Sequence, residues 1–133
     1  MPRPAKPEVE EWRPSLSPDE RVTIVGAGLA GLACAVVLAR AGRPVIVREW
    51  HKTVGSRFHG DFQGLENWSD DHDVLAELRA AGIETSFEAH PVREGIAFDA
   101  WGQAYPILGD RPLYYLVRRG GHGGSLECGL LEQ

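Results

Sequence analysis

Cysteine is scarce. Only Cys34 and Cys128 occur in 133 residues, and neither belongs to a CxxC pair. One pair is too few for a disulfide scaffold, and the usage fits a reducing cytoplasm. Cys34 lies in an apolar run and is expected to be a small core residue. Positive charge is also short, with 14 Lys and Arg against 19 Asp and Glu and a net charge of −5. An electrostatic grip on nucleic acid is therefore not expected. The five histidines and the acidic residues show no metal-ligand spacing. Asp70, Asp71, His72 and Asp73 are adjacent at an expected helix start, where they cannot all converge on one ion and where acids favour the helix dipole. No metal site is expected.

The N-terminus has no apolar core of the kind a signal peptide needs. Residues 1–20 instead carry five prolines interleaved with charged residues, and are expected to form a disordered leader to a single domain at 21–133. The longest uncharged run, residues 22–39, reaches 18 residues, the threshold of a membrane span. Gly26, Gly28 and Gly31 would weaken a helix in its first half. The run also opens on a β-like Val-Thr-Ile-Val, and a second β-branched run begins at Val45. No transmembrane span is expected.

What is present is glycine, 16 residues of it, and the glycines cluster. Residues 22–25 read as a short, fully buried strand. Gly26, Ala27 and Gly28 make a turn. Residues 29–41 are helix formers, apolar nearly all round, so a buried helix is expected, stopped by Gly42. Residues 45–48 read as a second strand, ending at Glu49. Gly26, Ala27, Gly28, Leu29, Ala30 and Gly31 thus form a GxGxxG that follows a strand, opens a helix and precedes a second strand. An acid follows 18 residues after Gly31, close to the interval of about 20 expected of a dinucleotide fingerprint. Each residue type has a reason. Gly26 permits the tight turn, Gly28 lets a pyrophosphate approach the backbone, and Gly31 lets the helix pack closely. The free N–H groups and positive end of the helix suit an anion. Glu49 is placed to accept hydrogen bonds from ribose hydroxyls, and its charge would repel a 2′-phosphate. The fingerprint alone does not separate NAD from FAD.

Residues 50–68 show neither period and read as a functional loop. Ser69 and Asp70 are candidate caps for a helix through Ala81. Short strands are expected near 85–89, 92–99, 103–108 and 113–117, with a hairpin turn at 99–102. Ser125 can cap a final helix from Leu126, which is expected to be still running at Gln133. The tryptophans Trp50, Trp68 and Trp101 are expected to pack. His59 and Asp61 form a possible acid/base pair, but no catalytic residue is assigned.

The segment after Glu49, with Gly55, Ser56 and Arg57, resembles the N-terminus of flavoprotein monooxygenases and reductases. Residues 57–68, RFHGDFQGLENW, resemble FAD-dependent oxidoreductases close to the geranylgeranyl reductases. Residues 114–119 with Ser125, Leu126 and Glu127 resemble that family's arginine-plus-helix element. The resemblance implies an α/β fold: an incomplete Rossmann-like FAD/NAD(P)-binding βαβ with an appended small β-rich region. It implies FAD as cofactor, with Gly26, Gly28 and Gly31 at its pyrophosphate and Glu49 at its ribose. Arg57 would lie near its phosphates or flavin, and Arg119, or its neighbour Arg118, would contact it from the last helix. NAD(P)H would be an electron donor in the complete enzyme. Members of the family continue into further strands, a Gly-Asp motif and a substrate domain. The chain is therefore expected to be an N-terminal portion, inactive and binding FAD weakly or not at all unless another chain or segment supplies the rest. The alternatives are a non-catalytic fragment or the NAD-binding domain of a dehydrogenase.

Overall fold

The β-branched run that opens the glycine motif forms β1 (Val22–Val25), which pairs in parallel with β2 (Val45–Arg48) in the register Val22 to Val45 through Val25 to Arg48. The crossover between them is α1 (Leu29–Arg40), whose end is marked by Gly42 at φ +75°. These coordinates come from a computed structural model, which describes residue 17 and residues 19–133. The expected leader at 1–20 lies outside the described residues apart from Ser17, Asp19 and Glu20.

A second layer follows. β3 (His59–Glu66), β4 (Ala89–Val92) and β7 (Tyr114–Gly120) form an antiparallel sheet in the order β3-β7-β4. α2 (Val74–Ala80) connects β3 to β4. β5 (Glu94–Phe98) and β6 (Ala104–Leu108) form a separate antiparallel hairpin. Asp99 closes its turn, its Oδ1 accepting from Trp101 N and Gln103 N, both at 2.9 Å. α3 (Leu126–Leu131) packs between α1 and β7. The core gathers there, from Leu32 and Val36 of α1, Leu126 and Leu130 of α3, Val117 of β7, and Ala27, Val54, Ile83 and Phe87 from the connections.

Several expectations are corrected. β1 is half-buried, not fully buried, and Val25 is 86% exposed, because among the described residues β1 pairs only with β2. On α1 only Leu32 and Val36 are buried, and Cys34 is exposed. Its apolar circumference exceeds the surface that α3 and β2 cover. The expected loop at 50–68 contains β3. Six of its eight residues are exposed, so no alternation marks it, and pairing along β7 makes it a strand. α2 starts at Val74 because Asp73, rather than Ser69 or Asp70, is its cap, with Oδ1 accepting from Leu75 N and Ala76 N at 3.1 Å. No strand forms at 85–88; the β-pairing begins at Ala89, where β7 offers an edge. β7 runs past the expected 117 to Gly120 because it is the central strand, supported by β3 to the end. α3 does not run on. It ends at Leu131, and the Gln133 side chain folds back to donate to Gly129 O at 2.9 Å. Trp50, Trp68 and Trp101 do not pack into the core but are exposed. Among the described residues no helix is long and apolar enough to cross a membrane.

Candidate functional site

The elbow between β1 and α1 is built from backbone. Gly26 adopts φ +98°, which side-chain-bearing residues rarely take, and its N–H continues the parallel ladder to Arg48 O at 2.7 Å. A Cβ on Gly31 would collide with the Gly26 carbonyl oxygen. That close approach of helix to elbow is why glycine stands there. Gly28 is the N-cap of α1, extended at φ −75° and ψ 177°, with no side chain capping the helix. The first N–H groups of a helix have no partner within it, so those of α1 stand open. A Cβ on Gly28 would meet nothing within 4 Å. Its lack of a side chain is not required by the protein's own packing.

Glu49 sits directly at this elbow. Its Oε2 accepts from Ala27 N at 2.8 Å and its Oε1 from His51 N at 2.8 Å. These donors, His51 first and Ala27 second, hold the carboxyl below its ordinary value of 4.5. A carboxylate has about four lone-pair sites, so each oxygen keeps capacity for another donor.

A cleft of about 440 Å³ opens beside the elbow, lined by Ala27, Gly28, Leu29 and Glu49 together with Arg57, Phe58, Arg119 and Glu127. Arg118 and Arg119 lie on β7 and not, as expected, on the last helix, and β7 presents alternate side chains to opposite faces, which separates the two. Arg119 lines the cleft and is buried, whereas Arg118 faces Glu88 at 3.9 Å and the Phe62 ring at 5.6 Å. Both Arg57 and Arg119 lie over the Phe58 ring, at 4.9 and 4.1 Å from its centroid. Arg119 Nε donates to Glu127 Oε1 at 2.8 Å, and its Nη1 donates to Gln63 Oε1.

The structure therefore brings together the elbow residues, Glu49, Arg57 and Arg119 around one cleft. Ala30 and Gly31, on α1, are not among its lining residues. It does not bring His59 and Asp61 there. Asp61 Oδ2 accepts from the His59 backbone N–H at 3.0 Å at the irregular start of β3. Asp70 and His72 contact each other at 3.0 Å with Glu77 nearby, all exposed, while Asp73 is committed to capping α2. Sequence reasoning gave no site role to Phe58, Gln63 or Glu127. Phe58 and Gln63 stood in the expected loop, and Glu127 entered only as part of the arginine-plus-helix element of the resemblance, without a role of its own. Its place two residues after a capping serine and eight after Arg119 was the available signal.

AegA of Escherichia coli strain K12 is 43% identical over 105 residues, 73% of this chain and 15% of AegA. UacF of the same organism is 48% identical over 81 residues, 55% of this chain and 12% of UacF. Both carry the word oxidoreductase in their names. The small chain of the NADPH glutamate synthase of E. coli is 46% identical over 48 residues, 33% of this chain and 10% of the relative. The chain thus spans 10–15% of the length of these relatives. Kinship to oxidoreductases with a dinucleotide-binding unit is the level these likenesses reach; none singles out the geranylgeranyl reductases. Residues 24–93, just over half of the chain, match the NAD(P)-binding Rossmann-like domain family, and the chain belongs to that family.

Proposed function

We propose that this chain is the FAD-binding N-terminal portion of an FAD-dependent oxidoreductase. The observation that carries the reading is the contact between Glu49 and Ala27, which places a carboxylate with spare acceptor capacity beside the uncapped start of α1. FAD fits the residues present. Its pyrophosphate would sit over Gly28, where space is open, and take the N–H groups of Leu29 and Ala30. Glu49 would accept from the ribose hydroxyls. Arg57 and Arg119, which line the same cleft, would meet the phosphates or the flavin. FAD, when bound, supplies the redox chemistry. The residues of this chain bind it, orient it and exclude the wrong nucleotide.

Glu49 stays charged at neutral pH, and a 2′-phosphate brought to it would meet like charge, so NADP is disfavoured in this cleft. NADH or NADPH then acts as electron donor at a site elsewhere in the complete enzyme. The two-stranded β1-β2 sheet, with Val25 exposed, also points to further strands on the same polypeptide or a partner as the source of tight retention. The 133 residues by themselves would bind weakly. The geranylgeranyl-reductase-like likeness of residues 57–68 would make the substrate apolar or isoprenoid-like. The free thiols of Cys34 and Cys128 suit the cytoplasm.

A second reading, the NAD-binding domain of a dehydrogenase, is favoured by the family match and by the relative named for NADPH. Titration of the ¹⁵N-labelled chain with FAD, NAD and NADP separates the two. FAD is expected to shift the amides of Ala27, Gly28, Leu29 and Glu49. Shifts with NAD and none with FAD would establish the second reading, and silence with every nucleotide would leave an inert fragment.

A further inference from the structure

Glu127 is 1% exposed and Arg119 is 7% exposed. Burying two charges costs more than burying an apolar pair of the same size unless the geometry satisfies both, so the arrangement needs a reason. Glu127 Oε1 accepts from Arg119 Nε at 2.8 Å and lies 2.8 Å from Nη2. Its Oε2 accepts from Gly120 N at 3.0 Å. Gln63 of β3 accepts from Nη1, and the guanidinium carbon lies over the Phe58 ring, 4.1 Å from its centroid. Arginine has five N–H donors. Three are committed to these partners among the described residues, which leaves one on each terminal nitrogen of a side chain that lines the cleft.

We infer that Glu127 is a positioning residue for ligand binding. It holds Arg119 over Phe58 so that the two remaining N–H donors meet an acceptor of the bound dinucleotide, either a phosphate oxygen or a ring carbonyl. The inference rests on the proposed binding reading and adds a residue that does not itself touch the ligand. Fixing both the acceptor side and the stacked face of the guanidinium removes its rotamer freedom before binding. A long, flexible arginine would otherwise lose that freedom on contact.

The sign of the effect separates positioning from simple charge. Loss of a negative group near an anion site should by itself tighten anion binding. Loss of a positioning group should weaken it. The test compares FAD affinity by amide-shift titration for the full chain and for Glu127→Gln, Arg119→Met, their combination and Gln63→Ala, with a thermal melt of each. Glu127→Gln is expected to remain folded and to bind FAD about tenfold more weakly, the scale of one hydrogen bond to a charged group. The double variant is expected to bind no more weakly than Arg119→Met alone, since the effect runs through Arg119. Gln63→Ala, which keeps the buried pair, should weaken binding in the same direction. ADP, titrated in parallel, reports which part of FAD is met: a loss shared by ADP places Arg119 at phosphate, and a loss confined to FAD places it at the flavin end. Wild-type or tighter affinity in folded Glu127→Gln overturns the inference. So does an equal loss on the Arg119→Met background. If Glu127→Gln fails to fold, Gln63→Ala decides, and unchanged affinity there overturns it. If the unmodified chain binds neither FAD nor ADP, the binding reading itself fails and takes this inference with it.

Discussion

The Tyr115 hydroxyl on β7 donates to Asp73 Oδ2 at 2.6 Å, while the other oxygen of that carboxylate caps α2. One side chain thus ties α2 to β7, the central strand of the antiparallel sheet. The Tyr115 hydrogen bond is the largest of the causes that hold the Asp73 carboxyl below its ordinary 3.8, and its partner's influence pushes the Tyr115 phenol above 10.0. The folded state therefore binds the Asp73 proton less firmly than the unfolded chain. Its contribution is whole above 3.8 and fades as pH falls through the lower folded value. For Tyr115 the folded state holds the proton more firmly. That contribution is whole below 10.0 and fades as pH rises through the higher folded value. Tyr115→Phe is expected to cost about 1.5 kcal/mol at neutral pH, the low end for a hydrogen bond to a charged group because the pair is half-buried. Urea melts across pH should show the difference between variant and wild type shrinking at both extremes. A constant difference would mean that the pair is not what the substitution removes.

Gly28→Ala and Gly31→Ala should separate binding from folding. A Cβ at Gly28 meets nothing in the protein, so the melting temperature should hold while FAD or ADP binding is lost to the methyl group in the pyrophosphate's path. A Cβ at Gly31 meets the backbone oxygen of Gly26, where neither partner can yield cheaply. That variant should lose about 1–3 kcal/mol or more to overpacking. Equal behaviour of the two in melts and titrations would contradict the division of labour between these glycines.

Glu49 carries the choice of nucleotide. Because its carboxyl is held below 4.5, affinity for FAD should be flat from neutral pH down to about that value and fall only below it, as the acceptor becomes protonated. Glu49→Arg should reverse the preference, gaining NADP at the expense of FAD, since an arginine there can accommodate a 2′-phosphate. Retained FAD preference in that variant, read from parallel titrations, would remove Glu49 from the ribose.

Gln133 locks α3 to the segment before β4. Its Oε1 accepts from Glu84 N at 2.8 Å, and its Nε2 donates to Glu84 O and Gly129 O, both at 2.9 Å. Gln133→Ala should lower stability by about 1 kcal/mol, the scale of one net hydrogen bond at an exposed site. It should also speed hydrogen exchange at the Glu84 amide while leaving that of Val117 unchanged. Uniform acceleration at both would show that the whole fold, not this corner, had loosened.

The readable parts of this chain are those in which cause and effect lie close along the backbone. Gly26 and Gly31 are five residues apart, and the collision that forbids a side chain on the second involves the carbonyl of the first. The Asp99 turn and the Ser125 cap are equally local: each polar side chain satisfies N–H groups within four residues of itself. Even the acid at the end of the second strand was legible, because a right-handed parallel crossover allows few alternatives.

The remainder was decided by strand edges that no local pattern describes. β3 is mostly exposed and lacks alternation, and it exists because β7, some fifty residues later, offers it a partner. That pairing carries Phe58 and Gln63 to Arg119, and α3 then brings Glu127 under the same guanidinium. Cys34 faces solvent for a related reason: an apolar helix is buried only as far as neighbours cover it. Amino-acid order alone determined the glycine elbow, its helix and the acid beside them, since backbone sterics and helix ends act over a few residues. Only the tertiary structure decided that Phe58, Gln63 and Glu127 gather about Arg119, since bringing distant segments together depends on which edges and faces remain to be satisfied once the local elements have formed.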